Sequence, residues 1–122
     1  MLARAANAYR RVDLESAPKT QILERLFDRC LADIAGAREA LVIKDIKKKA
    51  VLLDHAMQIV AELKASLDAN AAPVLCANLS ALYDFVTDRL IDANVTLETR
   101  PLDQATRIMG ELGDAFRGAH AR

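Results

Sequence analysis

Apolar residues recur at three- and four-residue spacing through four long stretches of this chain, separated by breaks of only a few residues. That period puts side chains on one face of an α-helix, and breaks so short force consecutive helices to pack side by side in opposite directions. The first stretch opens at Pro18, whose missing N–H costs nothing in a first helical turn, and carries Ile22, Leu26, Cys30, Ile34 and Leu41. It predicts a helix over about 18–42. Asp45 is a plausible N-cap for a second helix over about 45–68, with Ile46, Leu53, Met57, Val60 and Leu67 as its stripe. A break from Asn70 to Pro73 starts a third over about 73–94, with Leu75, Leu79, Leu82, Val86, Leu90 and Ala93 on one face. Pro101 marks a fourth, about 101–117, striped by Leu102, Ala105, Met109, Leu112 and Phe116, and Gly118 can end it.

The expected fold is therefore all-α, an antiparallel up-down four-helix bundle over residues 18–118. Residues 1–17 lack a sustained period and read as an N-terminal arm, and residues 119–122 as a tail. At 122 residues the chain has the size of one domain with one core. Its 17 basic and 17 acidic residues balance, so no global field draws nucleic acid, and the few aromatics are poor material for base stacking. The opening MLARAANAYRR has no apolar signal-peptide region, and no later stretch has the length to insert in a membrane. Cys30 and Cys76 sit among apolar helical positions and read as reduced core thiols, which suits the cytoplasm.

The apolar faces differ in width. The fourth helix has an ordinary stripe of about 140°, whereas Leu52, Ala56, Ile59 and Leu63 widen the second to roughly 180°, with Val51 beyond it. Phe27, Leu31 and Val42 widen the first helix, and Phe85 and Ile91 the third. Most of this width is what a helix needs to pack on two neighbours at once. That explanation serves Leu52, Ile59, Phe85 and Ile91 least well, and these four could line grooves for an added amphipathic helix.

Residues that carry chemistry elsewhere find no companions here. His55, in DHAMQIV, has neither a Glu-x-x-His pairing nor the setting of a phospho-acceptor, and projects to the polar side as a solvated histidine. His120 lies in the tail. The run KDIKKK, residues 44–49, reads as a solvated basic face. No catalytic, cofactor or metal site is expected, so the chain reads as a binding protein and not an enzyme. The alternative is a homodimeric structural or adaptor bundle that buries its surplus apolar faces against a second copy. A histidine-relay bundle using His55 ranks well below both.

NAYRRV in the arm, APKTQILERLFDRCL, KDIKKKAVLLDHAMQIVAELKASLD and LSALYDFVTDRLIDANV, taken in order, resemble the flagellin-specific export chaperones of the FliS family over about residues 7–117. Tyr9, Pro18, Leu26, Asp28, Leu82, Tyr83, Arg89, Leu90, Ala93 and Asn94 stand on the family's recurrent positions. Phe27 replaces a frequent tyrosine and Arg29 a frequent glycine, and Ser16 is set back from its proline. The resemblance implies a cytoplasmic chaperone that binds the disordered C-terminal segment of flagellin, prevents premature polymerisation, and helps present its client to the flagellar type III export gate. It also implies that an arm bearing Tyr9, with Val12 beside it, covers part of the groove when the client is absent. Residues and resemblance together make Tyr9, Val12, Phe27, Leu52, Ile59, Tyr83, Phe85, Ile91 and Asn94 the candidate client-binding set.

Overall fold

The computed structural model describes residues 17–120, and side chains from 21 to 118. Four helices follow one another, α1 (Ala17–Val42), α2 (Ile46–Ala65), α3 (Pro73–Thr96) and α4 (Arg100–His120). Each helix packs on its chain neighbours and α4 closes the ring on α1. Ion pairs fix the directions. Arg38 near the end of α1 holds Asp103 at the start of α4 at 2.7 Å, while Asp28 near the start of α1 meets Arg117 near the end of α4. Lys49 and Lys64 on α2 likewise meet Asn94 and Asp84 on α3 in reversed order. The bundle is antiparallel and up-down.

Local chemistry sets the helix ends. The Asp45 carboxylate accepts the Lys48 N–H at 3.1 Å and so caps α2, whose other end is closed by Ser66 Oγ donating to the Glu62 carbonyl at 2.8 Å. This stops α2 three residues before Asp68. Pro73 begins α3 at the position where a missing N–H is harmless. Lys44 and Leu97, with φ of 63° and 62°, turn the chain out of α1 and α3 in the left-handed conformation that glycine usually takes there.

The stripe of α4 is buried as expected, with Leu102, Ala105, Met109, Leu112 and Phe116 all in the core. On the other three helices Cys30, Ile34, Leu41, Leu53, Val60, Leu79, Val86, Leu90 and Ala93 are buried as expected, and the stripes shift at the remaining positions. On α1, Leu23 and Phe27 face inward while Ile22 is exposed. On α2 the core takes Leu53, Ala56, Ile59, Val60 and Leu63, leaving Ile46 outside and Met57 half-buried. On α3 it takes Cys76, Leu79, Tyr83, Val86, Leu90 and Ala93, with Leu75 and Leu82 as half-buried flanks. Three residues expected to meet a partner, Phe27, Ile59 and Tyr83, are thus core residues, and Tyr83 is 0% exposed. Two neighbours per helix demand a wider inward face than one stripe supplies, and these large side chains fill it.

Cys30 belongs to the same core and lies 3.9 Å from the Ala56 carbonyl. Burial, with the nearby Asp33 charge adding to it, pushes its thiol from 9.0 up to about 12. In the unfolded chain the thiol ionises near 9.0, so this group costs stability as pH rises from there toward 12 and nothing below. Iodoacetamide at about pH 9 should modify Cys30 only when the protein is unfolded by urea. Equal labelling of native and unfolded protein at that position, read by peptide mass, would contradict its burial.

Candidate partner-binding surface

On α3 the contacts of Asp84 with Lys64 (2.5 Å) and of Asn94 with Lys49 mark the flank that faces α2. Ile91 lies on that flank, 48% exposed, and Phe85 lies on the other, 43% exposed. Six residues at roughly 100° each place the two about 120° apart, so they cannot line one groove. Phe85 is steadied by Arg89, whose guanidinium lies 5.4 Å from the ring centroid and donates to Asp92 at 3.3 Å. Arg89 Nε is buried without a hydrogen-bond partner among the described residues. Beside this pair Leu82 is half-buried. On the Ile91 flank, Thr87 one turn earlier is half-buried.

The remaining expected partner residues sit elsewhere. Leu52 is half-buried on the α1 side of α2, over the backbone of Gly36, where an added Cβ would come within 2.9 Å of its Cδ1. It fills the space left by the missing Cβ of Gly36. Asn94 is occupied within the bundle, because its side-chain oxygen accepts from Lys49 Nζ at 2.6 Å and its carbonyl from the same ammonium at 3.2 Å. Lys49 is buried, which corrects the reading of the whole basic run as solvated; Lys44, Lys47 and Lys48 are the exposed ones. An ammonium at the last carbonyls of α3 also opposes the negative end of that helix. Tyr9 and Val12 fall outside the described residues.

Two features escaped the sequence reading. His55 is only partly solvated: its imidazole is 44% exposed, and its Nδ1 meets the carboxylate of Asp33, whose side chain is 5% exposed. Arg29, one turn before Asp33, brings its guanidinium to 3.5 Å from the same carboxylate. The signal was the 3–4 spacing that puts Asp33 between Cys30 and Ala37, at the edge of a core face. The second feature is a surface groove of about 620 Å³ along α1, lined by Ile22, Arg25, Leu26, Asp28, Arg29 and Ala32.

Among the described residues no cluster of three or more His, Cys, Asp or Glu is placed to hold a metal, and no helix is long and apolar enough to cross a membrane. A profile of the family described as flagellar protein FliS matches residues 2–122. The chain belongs to the FliS family. Three FliS relatives match it over 83% to 94% of their length. The flagellar secretion chaperone FliS of Salmonella typhimurium is 30% identical over 120 residues, covering 94% of this chain and 89% of that protein. The flagellar secretion chaperone FliSB of Pseudomonas aeruginosa is 28% identical over 119 residues, with 94% of each covered. The counterpart from Bacillus subtilis is 29% identical over 112 residues, covering 92% and 83%. At two departures from the FliS pattern described above, Phe27 places its ring in the core of this chain and Arg29 stands 3.5 Å from the Asp33 carboxylate.

Proposed function

We propose that this FliS-family chain is a cytoplasmic chaperone that holds the disordered C-terminal segment of flagellin, keeps it from polymerising prematurely, and assists its passage to the flagellar type III export gate. The family supports the chaperone role. The observation that carries the client site is the pair of exposed apolar residues, Phe85 and Ile91, left on opposite flanks of α3 while the core beneath them is closed. A single rigid helix cannot touch both. A disordered segment can, by folding as helices along one flank and then the other, with its ordering cost met by the apolar area it covers. Binding, and not chemistry, is the whole activity under this reading.

Phe85→Asp and Ile91→Asp should each weaken binding of a flagellin C-terminal peptide about tenfold, because each removes a half-exposed apolar contact and buries a charge instead. The double variant should lose the product of the two factors, since the side chains lie about 120° apart on different flanks of α3. Both are surface positions, so melting temperatures should move little. Anisotropy titrations of a labelled peptide read the affinities. Unchanged affinity in both single variants would defeat the assignment, as would a stable dimer that takes up no peptide.

A further inference from the structure

The α1–α2 and α3–α4 turns lie at the same end of the bundle, joined by the contact of Lys49 with Asn94. That end is apolar. Ile43 is 65% and Val95 75% exposed, and Val42, Ile46 and Leu97 are exposed beside them. The backbone itself is strained there, because Lys44 and Leu97 both hold the left-handed conformation without being glycine. Side chains larger than glycine are kept at both turns, and the folded protein gains no core from them.

Charge identifies the kind of partner. Lys44, Lys47 and Lys48 border the patch, exposed and without an ion pair among the described residues. Of the carboxylates at this end, Asp45 is engaged in capping α2, and exposed Glu39 and Glu98 leave the three lysines in excess. We infer that this end face is a docking site for an acidic amphipathic helix of a second protein partner, separate from the flanks of α3. Apolar residues of such a helix would cover Ile43, Ile46 and Val95 while its carboxylates meet the three lysines. A second copy of this chain fits poorly, since a twofold contact sets lysines against lysines. A flat anionic lipid surface also fits poorly, because it would press on exposed Glu39 and Glu98 at the same end, whereas a single helix can lie across the lysines alone.

The probe is an 18-residue synthetic helix, about five turns, with leucines at i, i+3, i+4 and i+7 and glutamates elsewhere, compared with a twin carrying lysines for glutamates. Full-length protein should bind the glutamate helix about tenfold tighter than the twin in low salt, with the preference fading toward 1 M salt. Amide shift changes should map to residues 42–48 and 95–98. Lys44→Glu, Lys47→Glu and Lys48→Glu together should reverse the preference, and Ile43→Ser with Val95→Ser should weaken both helices. Both sets of variants should bind the flagellin peptide like the parent. Absence of a charge preference, or shift changes located elsewhere, would overturn the inference. So would tighter binding to phosphatidylserine vesicles than to the helix, or loss of flagellin-peptide affinity in the triple variant, which would make the end face part of the client site.

Discussion

Phe27→Ala is expected to destabilise the protein by about 3–5 kcal/mol, the largest effect of any single substitution considered. The ring is 1% exposed and lies 5.9 Å from the Phe116 centroid at an interplanar angle of 36°. α4 comes close at this level: a Cβ placed on Gly113 would stand 3.4 Å from the Phe27 Cβ. Two helices already in contact cannot move further together to fill the space left by a deleted ring, so both the transfer loss and the cavity cost are felt. Urea denaturation reads the change as a shift of midpoint at constant slope. A loss below about 1 kcal/mol would mean that Phe27 is not the core residue described. Because Phe27 does not reach the surface, variant protein that remains folded at low temperature should bind the flagellin peptide like the parent. Loss of binding without loss of stability would return Phe27 to the client site.

Asn94→Ala should come next, at about 2–3 kcal/mol, by stripping the buried Lys49 ammonium of its 2.6 Å acceptor and leaving only the backbone carbonyl at 3.2 Å. Lys49→Met should cost less, roughly 1 kcal/mol, since it removes the charge along with its need for a partner and keeps the volume of the stem. In the Lys49→Met background, Asn94→Ala should become nearly neutral, and that coupling is the signature of a direct interaction. Additive losses would contradict it. So would a Lys49→Met variant that is the less stable of the two.

These two cases show what the sequence could and could not reveal. The four helices and their order were legible because each carries its own period, and the short breaks between them leave only antiparallel neighbours. The inward face of α4 was legible because one narrow stripe is all its polar sequence allows. On α1 and α3 the apolar residues are so dense that turning the helix by one position exchanges Ile22 for Leu23, or Leu82 for Tyr83, without changing the pattern. Only the neighbouring helices decide between the two. Lys49 was hidden for a different reason: within a run of lysines nothing local marks the one whose stem lies along the α2–α3 seam. His55 and Asp33 are twenty-two residues apart, and their pairing requires the register of α1 on α2 that close packing at Gly36 permits. Of the expected client set, Phe85 and Ile91 are exposed, Leu52 is half-buried, and Phe27, Ile59 and Tyr83 lie in the core.

Calorimetric titration of the full chain with the C-terminal segment of a cognate flagellin, repeated at several temperatures, decides whether the flanks of α3 hold a client. One peptide should bind per chain with a large negative heat-capacity change, because a disordered segment folds against exposed apolar flanks. Absence of binding, or binding with no heat-capacity change, would contradict a client site there.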